Sequence, residues 1–265
     1  MPKPVRCPQC AAAALSYRGV GTQRAELALA KCFPTAKILR MDADSTSRRH
    51  SHDDILGAFR RGDAQILIGT QMIAKGLDFP NVTLVGVLNA DSSLMMPDFR
   101  AGERTFQLLS QVAGRAGRAE LPGEVFIQSR DPTVGIIRLA AKGDYRMFAE
   151  AELAERRSAF YPPYCHLAVL NLKSRDLALV GSWADMYAKS LAKYALCVKK
   201  EGGLLVVGEA LPSAIEKADD WYRWQVVLRA PHVRTIVKAW LWLKKVRPPP
   251  RDLVVALDVD AYNLV

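Results

Sequence analysis

The chain has 265 residues, half of them hydrophobic, and its 37 Lys and Arg against 27 Asp and Glu give a formal charge of +10. This length and composition predict one large or two smaller globular domains and exclude a disordered or fibrous protein. The basic balance favours polyanionic partners, and the sequence shows neither an apolar leader nor a membrane-length apolar run, so a cytoplasmic, nucleoid-associated protein is expected.

Strands and helices alternate in the first half, which predicts a parallel sheet with right-handed crossovers. The predicted strands are Leu15–Val20, Lys37–Met41, Gln65–Ile68, Val82–Leu88 and Gly123–Gln128. The predicted helices are one capped by Thr22 and ended by Pro34, one with Ile55, Leu56 and Phe59 on a shared face and ended by Arg61-Gly62, and Phe99–Gln111.

A polar segment follows the apolar strand Gln65–Ile68 and reads Gly69-Thr70-Gln71-Met72-Ile73-Ala74-Lys75-Gly76-Leu77-Asp78-Phe79. Ligands bind at the carboxyl ends of strands in open α/β sheets. Thr70 and Gln71 are suited to hydrogen-bond a phosphodiester backbone, and Asp78 to hold a ribose hydroxyl or a metal-bound water. The alternative is a strand followed by an ordinary capped turn.

A second motif places two arginines three residues apart, in Gln111-Val112-Ala113-Gly114-Arg115-Ala116-Gly117-Arg118. It follows Phe106, Leu108 and Leu109, which are expected to form the buried face of a helix. Guanidinium groups stabilise the charge of a transferring phosphoryl group, and glycine lets the backbone approach a nucleotide closely. The alternative is a helix end with solvated arginines.

The second half opens with a helical region from Asp131-Pro132 to Ala159, and the paired Pro162-Pro163 predicts a domain boundary. The order after it is β-α-β-β-α-β, a ferredoxin-like pattern. Its predicted strands are His166–Leu172, Leu204–Val207, Trp224–Arg229 and Leu253–Asp258, and its helices are near Leu179–Val198 and Val233–Val246.

Basic and aromatic residues concentrate between Trp221 and Arg251, where no acid occurs. Cations neutralise phosphates and aromatic rings stack on unpaired bases, so this stretch predicts DNA contact, with Arg223 and Trp224 the best candidates. The alternative is that the tryptophans are core and the arginines a solvated face. The basic residues are Arg223, Arg229, Arg234, Lys238, Lys244, Lys245, Arg247 and Arg251.

The five cysteines are scattered, which argues against a disulfide framework. Cys7 and Cys10 form a C-x-x-C pair, which is half of a tetrahedral zinc site. Cys32 lies in an apolar helical run and is expected in the core.

The two motifs together resemble motifs V and VI of superfamily 2 helicases, and the wider sequence resembles the replication-restart helicases of that superfamily. The stretches that carry the resemblance are Tyr17–Thr22, Asp42–Arg48, Gly69–Asp91, Ala149–Arg157, Tyr161–Pro163 and Tyr222–Gln225. It implies a remnant of a zinc-binding region at 1–14, a RecA-like second helicase lobe at 15–158 and an α+β DNA-interacting domain at 159–265.

The resemblance also implies a role for each matched residue. Arg118 would reach the γ-phosphate with Arg115 beside it, and Gln111 would orient the attacking water. Gly76 and Asp78 would couple the nucleotide state to DNA binding. The residues that would contact DNA are Thr70, Gln71, Gly21 and Thr22. ATP with Mg²⁺ is the implied cofactor, with zinc at Cys7 and Cys10. The implied partners are forked or single-stranded DNA, primosome proteins and single-stranded-DNA-binding protein.

The family's phosphate-binding loop, G-x-x-x-x-G-K-[ST], does not occur in this sequence, which contains no Gly-Lys step. ATP hydrolysis by this chain alone is therefore not expected. Two alternatives remain open: a non-catalytic DNA-binding or primosome-assembly module, and a remnant of a split gene.

Overall fold

The computed structural model describes residues 21–42, 51–70, 81–114 and 123–262. The chain divides into two compact units, one drawn from Met1–Asp91 and Gln107–Thr133 and the other from Ser92–Phe106 and Val134–Val265. The chain passes from the first unit to the second within helix α3 (Asp91–Leu94). It returns to the first unit within helix α4 (Ala101–Ala113).

The first unit contains two pairs of parallel strands. Strand β1 (Ile38–Met41) pairs with β2 (Ile66–Gly69), and β3 (Leu84–Val87) pairs with β4 (Glu124–Ile127). The predicted α/β organisation with parallel pairing is therefore confirmed. The expected strand Leu15–Val20 lies outside the described residues.

Two helices accompany the first pair of strands, α1 (Thr22–Cys32) and α2 (Ser51–Arg60). Helix α2 ends where predicted, because Gly62 adopts φ +81°, a left-handed conformation that costs glycine little. Helix α1 differs from the prediction at its start. Gly21 is the N-cap, whereas Thr22 is the first helical residue and its hydroxyl donates to Asp42 instead.

The prediction that Cys32 is a core residue is wrong, because this cysteine is exposed. The helix buries only Ala25, and the side chain of Leu27 is 65% exposed. An apolar residue in a helical run is thus not sufficient to define its buried face.

The helical region between Pro132 and Ala159 consists of two helices, α5 (Gly135–Lys142) and α6 (Tyr145–Ser158). Gly143, with φ +68°, ends α5, and its amide and that of Asp144 bond back to carbonyls of the last turn. The Asp144 carboxylate then accepts the amide of Met147 and caps α6. The predicted helical region is therefore present and is divided into two helices.

The second unit ends in a four-stranded antiparallel sheet with the order β6-β7-β5-β8. Its elements follow the predicted order β-α-β-β-α-β. They are β5 (His166–Ser174), α7 (Leu177–Lys200), β6 (Val206–Ala218), β7 (Trp221–Ala230), α8 (Val233–Val246) and β8 (Val254–Val259).

Both helices of this part pack on one face of the sheet and enclose the main core. Tyr187 and Leu191 of α7 and Ile236 and Leu243 of α8 are fully buried among alternate residues of β5 and β7. The Tyr187 hydroxyl donates to the Arg247 carbonyl at 2.9 Å, and burial raises the pKa of Tyr187 to about 12.

Leu191 provides a direct test of this core. Leu191→Ala removes fully buried methyl groups, so we expect a loss of about 2–5 kcal/mol in unfolding free energy. Leu196→Ala on the same helix is the matched control. Leu196 is 62% exposed, so its replacement is expected to change stability by less than about 0.5 kcal/mol.

Denaturant unfolding followed by tryptophan fluorescence measures this effect, because all five tryptophans (Trp183, Trp221, Trp224, Trp240 and Trp242) belong to the second unit. Equal losses in the two variants would contradict the packing described for α7.

Candidate nucleotide and nucleic-acid interface

The carboxyl ends of β1 and β2 form one edge of the first unit. The parallel register pairs Met41 with Gly69, so Asp42 and Thr70 both follow the sheet at this edge. Asp42 is 7% exposed and accepts the Thr22 hydroxyl at 2.5 Å, which places the first turn of α1 there too. Gly21, Thr22 and Thr70, three of the predicted DNA-binding residues, therefore lie at the same edge.

Charge at this edge is partly neutralised by Arg40. Its guanidinium Nε lies 3.4 Å from the Asp42 carboxylate and 3.5 Å from that of Glu26. Thr70 and Gly21 are exposed, and Gly21 contributes no capping side chain to α1. The first amides of a helix point along its axis toward an incoming anion, so this edge has the chemistry to hold a phosphate.

The arginine motif begins in the last turn of α4. Phe106 and Leu109 are buried, as predicted, and Leu108 is half-buried. Gln111 is exposed in the last turn, and the Gly114 amide bonds to the Ser110 carbonyl. Arg115 and Arg118 lie outside the described residues, as do Gln71, Gly76 and Asp78.

A carboxylate at the ends of β3 and β4 was missed by the sequence analysis. Asp91 is 8% exposed and accepts the Arg130 amide at 2.9 Å and the Ser129 hydroxyl at 2.8 Å. These two bonds, the amide first, lower the pKa of Asp91. The sequence did contain a signal for this contact, because Asp91 and Ser129 each follow a predicted strand within a few residues and the carboxyl ends of parallel strands lie at the same edge of a sheet.

The Asp91 carboxylate should make the β3–β4 edge sensitive to acid. A carboxyl whose pKa is lowered by folding stabilises the fold above its unfolded value of about 3.9 and loses that contribution as pH falls through the lower folded value. We therefore expect protection of the Arg130 amide against hydrogen exchange to decrease below about pH 4.

In Asp91→Asn, whose neutral side-chain oxygen can still accept the Arg130 amide, this acid-dependent decrease should be absent. Glu124→Gln, at an exposed position in β4, is the control and should retain the wild-type profile. An unchanged profile in Asp91→Asn would contradict the role of this carboxylate.

The two predicted DNA-binding residues of the second unit point to opposite faces of its sheet. Trp224 lies on the face shared with Val226 and Leu228, and its indole contacts α7, where a Cβ added at Gly181 would stand 3.3 Å from the ring. Its Nε1 is buried and has no hydrogen-bond partner within the described part of the chain. Arg223 is half-exposed on the face away from the helices.

The predicted zinc ligands Cys7 and Cys10 lie outside the described residues. Among the residues that the structure describes, no three His, Cys, Asp or Glu side chains are grouped to hold a metal ion. Buried Cys165 donates to the Phe160 carbonyl, and burial raises the pKa of its thiol. The described residues thus supply no additional ligand cluster for zinc.

None of the helices within the described ranges is long and apolar enough to cross a bilayer.

Comparison with known proteins identifies a domain in the first half of the chain. Residues 21–120 match the helicase conserved C-terminal domain, a region that includes the β1–β2 edge, α4 and both motifs. The matched region covers most of the first unit together with Ser92–Phe106 of the second, and it resembles the C-terminal domain of a helicase.

Relatives extend the similarity to the rest of the chain. Replication restart protein PriA of Bacillus subtilis is 42% identical over 100% of this chain and 32% of its own length. The PriA proteins of Synechocystis and Chlamydia trachomatis are 36% and 49% identical over 99% and 87% of the chain, and 31% and 30% of their own lengths. Along its whole length the chain is similar to replication restart proteins named PriA, and it corresponds to their C-terminal portion. It spans about a third of the length of these relatives.

Proposed function

We propose that this chain provides the second motor lobe and the DNA-interacting domain of an ATP-dependent 3′–5′ DNA helicase that recognises forked DNA and restarts replication by primosome assembly. The observation that carries the proposal is the helicase C-terminal match over residues 21–120, followed by relatives named replication restart protein through the rest of the chain. Primosome proteins and single-stranded-DNA-binding protein are the proposed partners. We place the functional domains at 15–158 and 159–265, after a zinc-region remnant at 1–14.

The proposed architecture is a RecA-like lobe followed by a ferredoxin-like domain. The support for the first is the parallel pairing of β1 with β2 and of β3 with β4. The support for the second is the strand order β6-β7-β5-β8 combined with two helices on one face, the arrangement expected for a split β-α-β unit.

DNA contact in the motor lobe is assigned to the β1–β2 edge. Gly21 and Thr22 supply backbone amides there and Thr70 a hydroxyl, and Gln71, the next residue in sequence, is assigned to the same contact. These groups recognise a sugar-phosphate backbone without reading the bases, which is what a motor moving along any sequence requires. Arg223 adds a cation in the second unit, whereas Trp224 positions β7 against α7.

Nucleotide contact is assigned to Gln111, in the last turn of α4, and to the residues that follow this helix in sequence. Arg118 and Arg115 would neutralise the γ-phosphate in the transition state, and Gln111 would position the water. Gly76 and Asp78 would couple the nucleotide to the DNA-binding edge. ATP and Mg²⁺ would be held mainly by a phosphate-binding lobe, and Cys7 with Cys10 would contribute two of the four ligands of a structural zinc.

The ATPase assignment is tested by recombining the chain with the part of a PriA relative that precedes the matched region. We expect no DNA-stimulated ATP hydrolysis by this chain alone and measurable hydrolysis by the mixture. Because an arginine finger contributes about 10³–10⁵ in turnover, Arg118→Ala should reduce hydrolysis by the mixture on that scale. Phosphate release with and without forked DNA is the measurement.

Arg138→Ala serves as the control, since Arg138 is an exposed arginine of α5. It should leave hydrolysis unchanged. Hydrolysis by this chain alone that Arg118→Ala abolishes would contradict the two-lobe proposal. Activity of the mixture that is insensitive to Arg118→Ala would contradict the arginine-finger assignment.

A further inference from the structure

The outer surface of α7 and α8 carries two rows of cations. On α7 the row consists of Lys189, Lys193 and Lys200, and on α8 of Arg234, Lys238 and Lys245; we call these six residues the helical cation face. All six are exposed. Their spacing of four or seven residues aligns each row along one side of its helix.

The core geometry determines the direction in which these rows face. Each helix turns the opposite side to the sheet, with Ala184, Tyr187 and Leu191 buried on α7 and Ile236 and Leu243 buried on α8. Tyr194 and Trp242 join the two helices, with ring centroids 4.7 Å apart. Because neighbouring helix axes lie about 8–10 Å apart, the two rows form one continuous surface.

Acidic residues are nearly absent from these helices. Asp185, one turn before Lys189, is the single acid within α7, and α8 contains none. Along a helix, side chains four residues apart are separated by about 6 Å, so each row presents charge at a spacing that a polymer of phosphates can follow. Lone small anions would not require two rows that extend over about 17 Å.

We infer that the helical cation face binds the phosphate backbone of duplex nucleic acid. This inference rests on the proposed function and assigns its DNA contact in the second unit to a specific surface. A duplex is favoured over a single strand because the aromatic rings needed to stack unpaired bases are engaged elsewhere. Trp242 packs on Tyr194, and both Trp240 and Trp242 contact the core.

An anionic bilayer is the competing partner for a basic helical surface. Membrane-binding helices insert a broad apolar face into the bilayer, whereas the apolar faces of α7 and α8 are buried against the sheet. Leu177 and Val246 are exposed at the ends of these helices, and Leu196 and Leu241, 62% and 59% exposed, lie between the cations. Two leucines offer little area for insertion, so the surface fits a hydrated phosphate polymer better than a bilayer.

The inference is tested in the full chain by changing Lys189, Lys193, Lys238 and Lys245 to Gln. Each phosphate contact contributes about 0.9 to the slope of log K against log salt for duplex DNA. We expect the variant to bind a duplex about tenfold or more weakly and its slope to fall in magnitude by about three to four. Titrations of fluorescent duplex at several salt concentrations measure both quantities.

The control variant changes Lys31, Lys37, Arg138 and Lys142 to Gln, four exposed residues outside these helices. It loses the same net charge, so affinity and slope close to wild type would show that the surface and not the total charge is responsible. An unchanged tryptophan-fluorescence unfolding curve for both variants would show that the fold of the second unit is retained.

Three outcomes would overturn the inference. Equal losses in the two variants would assign binding to net charge alone. Tight binding to a single strand with none to duplex would contradict the assigned ligand. Binding to phosphatidylglycerol vesicles, but not to duplex, that depends on the helical cation face would assign the surface to lipid.

The proposed motor function is tested separately, by the Arg118→Ala experiment, so the two proposals can be contradicted independently. A chain that binds no nucleic acid would overturn both the DNA-contact proposal and this inference.

Discussion

The burial of one face of the antiparallel sheet beneath α7 and α8 is the constraint on which the second unit depends. Fully buried residues from both helices meet alternate residues of β5 and β7, and this single layer consumes the apolar sides of both helices. Hydrophobic burial is the dominant favourable contribution to folding, so these helices cannot turn their apolar sides elsewhere without losing the core. The cations on their opposite sides are consequently held outward, and the core thereby fixes where the positive charge of the domain is displayed.

The first unit uses a different constraint, the register of parallel strands. Pairing of Met41 with Gly69 makes Asp42 and Thr70 neighbours although 28 residues separate them in sequence. The hydrogen bond from Thr22 to Asp42 then attaches the start of α1 to the same edge. Backbone pairing and one side-chain hydrogen bond thus bring the start of α1, the Asp42 carboxylate and the Thr70 hydroxyl to the same edge. Thr70 is exposed there and can contact a ligand.

The sequence predicted these elements well where periodicity or turn chemistry was unambiguous. Helix α8 was predicted at its observed bounds because buried Ile236 and Leu243 recur at helical spacing, and α2 ends near Gly62 because glycine permits the left-handed conformation there. Thr22 is not the N-cap because the helix begins one residue earlier than expected: Gly21 occupies the cap position, and Thr22 is the first helical residue, whose hydroxyl donates to Asp42. Trp224 was proposed for DNA contact because it lies in a stretch rich in basic and aromatic residues. In the structure, the alternation of side chains along β7 turns its indole toward α7, and composition alone does not give this direction.

The distribution of charge explains why composition alone could not locate the nucleic-acid surface. A net charge of +10 identifies a class of partner, but cations are useful to a phosphate backbone only where they are exposed, aligned and free of nearby carboxylates. Arg156 shows the opposite case, since its guanidinium is 12% exposed and pairs with Glu103 and Glu152 at 2.8 Å each. A buried arginine with two carboxylate partners serves the fold. Lys193 and Lys238, fully outside the core on adjacent helices, remain available to an external polyanion, so burial and pairing separate structural cations from binding cations of the same residue type.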